Sequence, residues 1–450
     1  PKVLHPIAGR PLLHYAVRAA LAAGVSKVVV VTSGQPEIER ALAREFAEQV
    51  VCVTQDPPRG TGDAARVGIA QVTTERVLIL CGDTPLVRAD ELTELVAALD
   101  QAGASDLSFL TCALDNPAGY GRVLRNARGE VTQIREQRDL ASPAEHAVRE
   151  VNSGVYAGQT ESVRRALSEV QPNNSQGEYY LTDIVALVAR TSRVTGVLGH
   201  ADALVGINDR SQLAQAEEVM LARIAARHAK NGVTVRGAAR IDDSVEIGAD
   251  AVIEAGVCLR GQTRIGARTL VDTGSVLTDA VVGEGVSIKP YTVITSSRVG
   301  DGAQLGPFAH LRPDSELEAD VHIGNFVETK KTRMRRGSKA NHLSYLGDGD
   351  VGERANIGAG TIFCNYDGLN KHQTTIGPGA FIGSDSHLIA PVTVGRDAYV
   401  ATGTTVTQDV PDEALAISRT KQTNKEGYAP KLKARFQALK EAAKAAAKKL

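Results

Sequence analysis

The sequence of 450 residues predicts an α/β protein with a Rossmann-like N-terminal domain and a left-handed parallel β-helix of hexapeptide repeats. The first observation is an apolar residue at every sixth position, which starts at Ile241, Ile247 and Ile253 and recurs, with interruptions, to Val406. A helix repeats about every 3.6 residues and a strand about every two, so neither explains this interval. It is typical of a β-helix, where each repeat is one side of a triangular coil. The second observation is an alternation of apolar runs and helical patterns in residues 1–205.

Four apolar runs in the N-terminal part have the length and composition of buried parallel strands. They are residues 28–31, 50–53, 77–81 and 107–110. Helical patterns accompany them at residues 12–23, 37–48, 63–72 and 91–101. Because strands alternate with helices, we predict a doubly wound sheet with a ligand crevice at the carboxyl ends of its strands.

A single long helix at 209–230 is expected to connect the two parts, since Asp209 or Ser211 can cap its start and Asn231-Gly232 its end. The predicted N-terminal domain is therefore 1–207, the linker helix 208–232 and the β-helix domain 233–450.

The six-residue repeat is interrupted at 329–344 and 364–371. We expect both segments to be loops that leave the coil and carry function. The last segment, 430–450, has seven Lys or Arg residues and one acidic residue, Glu441. Its Ala- and Lys-rich composition favours a solvated, basic C-terminal helix.

Composition excludes several classes of partner. The formal net charge is −1, so the chain lacks the basic character of a nucleic-acid-binding protein. It has no run of about 18 apolar residues and no signal-peptide pattern. We therefore expect neither nucleic acid nor a membrane as partner. The five cysteines are an odd number without a CxxC pair, which favours reduced thiols and a cytoplasmic location.

Two segments of the N-terminal domain suit phosphate or metal binding. Asp83 follows the third apolar run, and a carboxylate at the carboxyl end of a strand suits a metal that faces phosphates. A turn or helix cap is the alternative. The loop at 55–62 contains Gly60 and Gly62 and opens a helix, so its backbone N–H groups suit an anion or a base edge. Ordinary loops have the same composition.

His342 is the candidate base of the β-helix domain. Imidazole changes charge near neutral pH, so it can take a proton from a substrate. A structural or merely exposed histidine is the alternative. Arg312, Lys330 and Lys331 are expected on neighbouring coils, and such cations suit a phosphorylated substrate.

At these positions the sequence contains a series of specific motifs. In the N-terminal half they are Pro1-Lys2-Val3-Leu4-His5, Gly119-Tyr120-Gly121-Arg122, Val151-Asn152-Ser153-Gly154 and Gly177-Glu178-Tyr179-Tyr180-Leu181-Thr182-Asp183. In the C-terminal half they are Leu311-Arg312-Pro313, Gly324-Asn325-Phe326-Val327-Glu328, Asn356-Ile357-Gly358-Ala359-Gly360-Thr361, Cys364-Asn365-Tyr366-Asp367-Gly368 and Ala416-Ile417-Ser418-Arg419. In this order they resemble the bacterial bifunctional N-acetylglucosamine-1-phosphate uridyltransferase / glucosamine-1-phosphate N-acetyltransferase family over nearly the whole chain.

The resemblance implies a nucleotidyltransferase domain in which N-acetylglucosamine-1-phosphate attacks the α-phosphate of UTP and releases pyrophosphate. Such transfer depends mainly on positioning and charge neutralisation. Lys2 would bind phosphate, and Asp83 and Asn208 would hold Mg²⁺. The remaining substrate-binding residues that the resemblance implies are Gln55, Gly60 and Thr61 for the uracil, and Gly121, Glu136 and Asn152 for the amino sugar.

In the β-helix domain the resemblance implies acetyl transfer from acetyl-CoA to glucosamine-1-phosphate, with His342 as the general base. The implied sugar-phosphate residues are Arg312, Lys330, Tyr345 and Asn356. The implied acetyl-CoA residues are Ala359, Asn365, Tyr366, Ser384, Thr402 and Arg419. The family also implies a homotrimer whose acetyl-transfer site is shared between chains. Its product, UDP-N-acetylglucosamine, feeds peptidoglycan and lipopolysaccharide synthesis, and so cell-wall biogenesis and cell shape.

The sequence departs from the family pattern in three places. It starts at Pro1-Lys2, so the Gly-rich nucleotide loop that the family carries before this segment is absent. We expect acetyl transfer to be complete and uridyl transfer to require that loop. Cys81 stands where the family usually has Tyr, and Thr402 where it has Ala. We expect both substitutions to be tolerated.

Three other functions are compatible with parts of the sequence. The chain could be a single-activity sugar-1-phosphate nucleotidyltransferase whose β-helix is a non-catalytic oligomerisation arm. It could also be a solenoid that only organises assembly. A metallohydratase with ligands from adjacent coils is the third, but its histidines are irregularly spaced. They are His310, His322, His342, His372 and His387.

Overall fold

The chain forms two compact units, Pro1–Asp279 and Ala280–Leu450. The computed structural model describes residues 1–101, 105–200 and 206–447. The first unit contains the predicted α/β region, the long helix and the first coils of the β-helix, and the second unit contains further coils and a C-terminal helix. The domain boundaries at 207 and 233 stay predictions.

The α/β region contains every strand and helix that the sequence predicts there, with ends that differ by a few residues. After a 3₁₀ turn at Lys2–Leu4, its strands are β1 Pro6–Ile7, β2 Arg10–Pro11, β3 Val28–Thr32, β4 Val50–Thr54, β5 Arg76–Ile79, β6 Ser105–Ala113, β7 Arg122–Arg125, β8 Val131–Arg135, β9 Glu150–Gln159 and β10 Arg193–Leu198. Its helices are α1 Leu12–Ala22, α2 Pro36–Phe46, α3 Thr61–Ile69, α4 Ala89–Ala97, α5 Pro143–His146, α6 Thr160–Glu169 and α7 Asp183–Val188. A second 3₁₀ turn spans Gln137–Asp139.

The sheet is mixed, so the expectation of purely parallel strands is wrong for part of it. Strands β3 and β4 form a separate two-stranded parallel sheet, and in the six-stranded main sheet β10 is parallel to β6. Strand β9 lies between β6 and β7 and runs antiparallel to β5, β6 and β7. The ten-residue β9 contains polar residues and glycines rather than an apolar run, so the pattern of the sequence did not predict it.

Helices cover both faces of this sheet, as predicted for a Rossmann-like fold. On one face, α3, α6 and α7 pack over a core that includes Phe109 and Tyr156. On the other face, Leu92 and Leu95 of α4 pack against Leu110 and neighbouring residues. The sheet is thereby fixed between two apolar layers, which positions the loops at its strand ends.

Helix α8, Arg210–Lys230, is the predicted linker helix. Its N-cap is Asp209, one of the two predicted candidates, because the Asp209 carboxylate accepts a hydrogen bond from the Gln212 N–H at 2.8 Å. The last turn of α8 supplies Arg227, whose guanidinium contacts Asp243 of the first coils at 2.8 Å.

Asp243 ties several elements of the first unit together. Its carboxylate is largely buried and also accepts from Arg10 at 2.9 Å and from Arg18 at 2.7 Å. Burial would raise the pKa of Asp243, but the hydrogen bond from Arg227 and the surrounding guanidinium charges lower it overall. The cluster connects the β1–β2 hairpin, α1, α8 and the first coil, so it also holds the segment that starts at Lys2.

The first unit contains short parallel strands on three faces, which confirms the start of the predicted β-helix. The strands of the first face are Thr234–Val235, Val252–Ile253 and Leu270–Val271; those of the second are Arg240–Ile241, Cys258–Arg260 and Val276–Thr278; those of the third are Glu246–Ile247 and Arg264–Ile265.

The second unit repeats the pattern, and each strand is parallel to the equivalent strand one coil away. Its first face comprises Ser287–Ile288, Gln304–Leu305, His322–Asn325, Lys339–His342, Asn356–Ile357, Phe381–Ile382, Tyr399–Val400 and Leu415–Ala416. Its second face comprises Val293–Thr295, His310–Leu311, Glu328–Lys330, Tyr345–Gly347, Ile362–Cys364, His387–Ile389 and Thr405–Val406. Its third face comprises Val281–Val282, Arg298–Val299, Glu316–Leu317, Arg333–Met334, Gly349–Val351, Thr374–Ile376 and Val392–Val394.

One of the two predicted loops is absent. Residues 329–344 continue the coil, and the expectation of a loop there is wrong. The inward positions hold Thr329 and Ala340, which are fully buried. Because one is polar and the other small, the six-residue apolar repeat cannot be recognised in the sequence there. The Thr329 hydroxyl donates to Ser315 at 2.9 Å inside the coil, which satisfies the buried group.

The other predicted loop is confirmed. Between Cys364 and Thr374 the backbone leaves the coil, apart from an isolated bridge between Tyr366 and Lys371. Coil pairing resumes at Thr374, which lies opposite Gly349 of the preceding coil. The extra residues therefore form a surface loop without changing the register of the coils.

A row of large apolar residues runs along one corner of the second unit, and we call it the corner ridge: Tyr291, Phe308, Phe326 and Leu343. All four have φ between 50° and 58°, a region that bulky side chains rarely adopt. Their side chains are between 48% and 60% exposed, and the three rings stack at centroid distances of 5.5 and 5.4 Å. Strained backbone and exposed aromatic surface in one row indicate a contact surface.

The C-terminal helix α9, Tyr428–Ala447, confirms the helix predicted in the basic tail. Its large apolar side chains Tyr428, Phe436 and Leu439 are exposed. Across the described ranges of the chain, no helix combines the length and apolar character needed to cross a membrane.

We predict that the β-helix interior carries the stability of the second unit. Leu388 is fully buried and Leu369, in the surface loop, is 90% exposed. Leu388→Ala should lower the free energy of unfolding by about 2–5 kcal/mol, because it leaves a cavity. Leu369→Ala should change it by less than about 0.5 kcal/mol. Urea unfolding of both variants measures the difference, and equal values would contradict the packing described above.

Candidate active sites

Lys2 connects the two residues that were expected to hold a metal. Its ammonium donates to the Asp83 carboxylate at 2.5 Å and to the Asn208 side-chain oxygen at 3.1 Å. Asp83 follows β5, and the backbone N–H of Ile207 donates to the Asp83 carbonyl oxygen at 3.1 Å, which brings the two segments together. The oxygen atoms of Asp83 and Asn208 thus lie together around the Lys2 ammonium.

This donor set fits Mg²⁺. That ion prefers oxygen ligands and usually takes only one or two protein groups beside water and phosphate oxygens. Within residues 1–101, 105–200 and 206–447, no cluster of three or more His, Cys, Asp or Glu side chains suits a metal. A site completed by substrate phosphates would not need one.

The predicted uracil loop is anchored on both sides. Gln55 is buried, and its amide NH₂ donates to the Gly60 carbonyl oxygen at 3.2 Å and to the Asp63 carboxylate at 2.8 Å. Gly60 has φ of 112°, and a Cβ there would lie 2.6 Å from the Tyr179 carbonyl oxygen, so only glycine fits. Thr61 begins α3, and its hydroxyl accepts from a backbone N–H of the segment that follows Tyr179.

The three predicted amino-sugar residues lie together. A Cβ on Gly121 would be 3.3 Å from a Glu136 carboxylate oxygen, and the Gly121 carbonyl oxygen accepts from the Asn152 N–H at 2.9 Å. The Asn152 amide also donates to the Tyr156 hydroxyl at 2.8 Å, which fixes its orientation. Glycine at 121 therefore leaves open space in front of the Glu136 carboxylate.

A single segment joins the uracil loop to this corner. The Tyr179 carbonyl oxygen accepts from the Gly62 N–H at 2.7 Å, and the Thr182 hydroxyl donates to Glu136 at 3.1 Å. Burial raises the pKa of Glu136, and the nearby carboxylate of Asp183 adds to the effect. The base-binding and sugar-binding candidates are thus parts of one hydrogen-bonded arrangement.

Cys81, the first internal departure from the family pattern, lies between Asp83 and this corner. Its thiol contacts the Gly154 carbonyl oxygen at 3.7 Å. Burial, with the charge of Asp83, raises the pKa of Cys81 to about 12, so the thiol stays protonated. All five cysteines are free thiols, as predicted.

His342 is at the end of a first-face strand, not in a loop as expected. Its strand, Lys339–His342, pairs with His322–Asn325, and Asn325 lies directly opposite His342. The Asn325 side-chain oxygen is 2.9 Å from Nδ1 of His342. Since that oxygen only accepts, Nδ1 carries the proton and Nε2 keeps its lone pair. The imidazole is exposed, so Nε2 is accessible to a substrate.

Residues expected to bind acetyl-CoA lie in line with the predicted base, His342. The register of successive first-face strands places Asn325, His342, Ala359, Ser384 and Thr402 at equivalent positions on consecutive coils. We call these five residues the active row. The backbone register of the coils alone therefore brings these five residues together.

Three of the four predicted sugar-phosphate residues share the second face with a carboxylate. Arg312 donates to Glu328 at 2.7 Å, and Tyr345 lies opposite Glu328 on the next coil. Lys330 ends the same strand as Glu328. Asn356 lies on the first face instead, one coil beyond Lys339. The described contacts contain no hydrogen bond between Asn356 and the other predicted sugar-phosphate residues.

Asn365 is close to Tyr345. A Cβ on Gly347 would lie 2.6 Å from both the Tyr345 hydroxyl oxygen and the Asn365 amide nitrogen, so glycine makes room for both. Asn365 is buried and donates to Asp348 at 2.5 Å. The amide is thereby fixed at the base of the surface loop.

The surface loop carries Tyr366 over the coil. The Lys371 ammonium is 4.3 Å from the centre of the Tyr366 ring. Asp367 braces the loop: a hydrogen bond from the Asn370 backbone N–H, together with one from the His372 ring, holds the pKa of Asp367 well below its ordinary range. Elsewhere Arg419 donates to the Thr402 carbonyl oxygen at 2.5 Å, so it too meets the active row.

Sequence reasoning missed two residues that the structure brings into these sites. Asn325 was named only as part of a motif. Its position one coil before His342 could have indicated that the two side chains lie next to each other. Asp63 was assigned no role, because a single acidic residue in the first turn of a helix is common. Both are hydrogen-bond partners of predicted site residues.

Comparison with protein families and with curated proteins agrees with both halves. Residues 1–151 match the MobA-like NTP transferase domain, and residues 373–408 match the bacterial transferase hexapeptide (six repeats). The "Bifunctional protein GlmU" of Streptococcus equi subsp. zooepidemicus is 43% identical over 96% of the chain and 94% of its own length. That of Anaeromyxobacter dehalogenans 2CP-C is 49% identical over 95% of the chain and 88% of its own length.

The "Bifunctional protein GlmU" of Sorangium cellulosum So ce56 is 58% identical, over 99% of the chain and 94% of its own length. Similarity of this degree extends across both units and confirms the resemblance found in the motifs. The chain therefore belongs to the family of bifunctional GlmU proteins.

Proposed function

We propose that the chain makes UDP-N-acetylglucosamine in two reactions. The second unit transfers acetyl from acetyl-CoA to glucosamine-1-phosphate, and the first unit joins N-acetylglucosamine-1-phosphate to UTP with release of pyrophosphate. The observation that carries the proposal is the contact between His342 and Asn325, because it supplies an oriented base within a row of predicted acetyl-CoA residues. A non-catalytic β-helix arm, the main alternative, would not need that arrangement.

In acetyl transfer, Nε2 of His342 takes a proton from the glucosamine amine as the amine attacks the thioester carbonyl. The C–N bond forms, the C–S bond breaks, and the CoA thiolate leaves. Asn325 acts through His342 by keeping the proton on Nδ1. Arg312, which is a permanent cation, and Lys330 suit the phosphate of the acceptor.

Uridyl transfer depends on the contact among Lys2, Asp83 and Asn208. A sugar phosphate oxygen attacks the α-phosphorus of UTP, and the bond to pyrophosphate breaks. Lys2 neutralises charge on the phosphates. Bound Mg²⁺ would be held by Asp83 and Asn208 and would add further charge neutralisation. Glu136, in the open space beside Gly121, suits the hydroxyl groups of the sugar.

We further propose a homotrimer in the cytoplasm. The corner ridge supports assembly, because exposed stacked rings are unfavourable in water and favourable at an interface. Its last two members, Phe326 and Leu343, directly follow Asn325 and His342 in the chain. An interface at the ridge would therefore adjoin the base. The five free thiols support a reducing compartment.

We predict that Asp83→Asn selectively abolishes uridyl transfer in a protein that carries the family's Gly-rich loop before Pro1, because uridyl transfer is expected to require that loop. The change removes the one carboxylate of the donor set, so the rate should fall roughly a hundredfold or more. Acetyl transfer, measured on the same sample, should be unchanged because its residues lie in the second unit. Asp100→Asn, which removes a carboxylate from a surface pair with Arg76, is the control. Parallel loss of both activities would mean that the fold was damaged.

We predict that His342→Ala lowers acetyl transfer by roughly 10²–10⁴-fold, the usual range for a general base. Folding should be retained, because the side chain is exposed and, among the described residues, its ring hydrogen-bonds to Asn325. A thiol-release assay with acetyl-CoA and glucosamine-1-phosphate measures the rate. His146→Ala, which alters an exposed imidazole of the first unit, serves as control. Activity within a few-fold of the parent would show that His342 is not the base.

We predict that light scattering gives a mass of about three times 47.5 kDa. Replacing two ring residues, Phe308→Ser together with Phe326→Ser, should reduce the assembly, because the polar side chains remove apolar contact surface. A parent protein that is monomeric at micromolar concentration would contradict the trimer.

A further inference from the structure

Among the described residues, the hydrogen bonds of the Gln55 side chain engage its amide nitrogen and leave its amide oxygen without a partner. Both neighbours of its amide nitrogen, the Gly60 carbonyl oxygen and an oxygen of the Asp63 carboxylate, can only accept hydrogen bonds. The NH₂ group must therefore face them, whichever way the amide is drawn. The opposite orientation would place the Gln55 oxygen against two acceptors. The amide oxygen accepts no hydrogen bond from the described residues and is not sealed from solvent.

The surrounding structure holds this arrangement in place. Gln55 is 8% exposed and Asp63 is 6% exposed, so water competes weakly for either group. The Gln55 N–H donates to the Thr32 carbonyl oxygen at 2.7 Å, which fixes the backbone at the end of β4. Asp63 belongs to the first turn of α3 and is also 3.6 Å from the Arg59 guanidinium. The free oxygen of Gln55 is therefore a preoriented acceptor.

We propose that Asp63 sets the choice of base by locking the Gln55 amide with its oxygen outward. This inference rests on the proposed function, in which Gln55 contacts the base of the nucleotide. Uracil presents an N–H at ring position 3 and pairs with the acceptor. Cytosine presents a lone pair there, and two acceptors would face each other. Gln55 could accommodate cytosine only by rotating its amide, which Asp63 and Gly60 oppose.

Asp63 is thus a positioning residue for specificity and does not itself contact the base. Asp63→Asn tests this role with little change in size. An Asn side chain can donate as well as accept, so the Gln55 amide regains the freedom to rotate. Asp63→Ala removes the partner altogether. The experiment measures kcat/KM for UTP and for CTP with the full-length protein.

The UTP:CTP ratio should fall at least about tenfold in both variants, because a mismatched polar pair no longer opposes cytosine. The ratio of UTP to 5-methyl-UTP should stay within about twofold, since both bases have the same N–H at position 3. Asp100→Asn, which removes an equal charge on the surface, should leave both ratios unchanged. Acetyl transfer on the same samples reports whether the protein is intact.

Two results would overturn the assignment, and they differ from failure of the proposed function. A UTP:CTP ratio within about threefold of the parent in both variants would show that Asp63 does not orient Gln55. Equal loss of UTP and CTP use, again with an unchanged ratio, would make Asp63 merely structural. A parent protein that uses CTP as well as UTP would instead contradict the reading of the base by Gln55, and this inference with it.

Discussion

Parallel pairing between successive coils is the constraint on which the second unit depends. Each short strand hydrogen-bonds to the strand one coil away in a fixed register, so residues one coil apart lie above one another. The active row follows directly from this geometry. The predicted base, its hydrogen-bond partner and the predicted acetyl-CoA residues come from separate stretches of the sequence, yet the backbone alone aligns them. The corner that carries the row also carries the ridge, so the predicted base and the proposed interface lie along one edge of the coil.

The first unit aligns its groups by side-chain hydrogen bonds instead. The segment around Tyr179 pairs with the loop at 59–62, and Thr182 reaches Glu136 on the other side. The Asp243 cluster holds the hairpin that follows Lys2. Such an arrangement depends on a few buried or half-buried polar contacts. Single substitutions there should therefore affect function more sharply than substitutions on the strands of the coil.

The sequence was sufficient for the β-helix and the helices of the α/β region, while the roles of the site residues stay predictions. The six-residue repeat is a strong signal because one inward position recurs on many coils. It failed at 329–344, where Thr329 and Ala340 replace the apolar residue while the backbone continues. Strand β9 was missed because its sequence contains polar residues and glycines instead of an apolar run, although its backbone pairs with neighbouring strands of the sheet. The roles of Asn325 and Asp63 depend on which side chains meet across the fold, and neither spacing nor composition contains that information.

The surface loop at 365–373 shows where this β-helix can accept additional residues. The backbone leaves the coil after Cys364 and rejoins it at Thr374, and pairing with Gly349 resumes without a shift. Extra residues at a corner therefore leave the strand register of the neighbouring coils unchanged. The same number inserted within a strand would displace every later member of the active row. Insertions and deletions during evolution should accordingly accumulate at corners, and a peptide grafted beside Leu369 would be displayed on the surface while the alignment of the catalytic groups is kept.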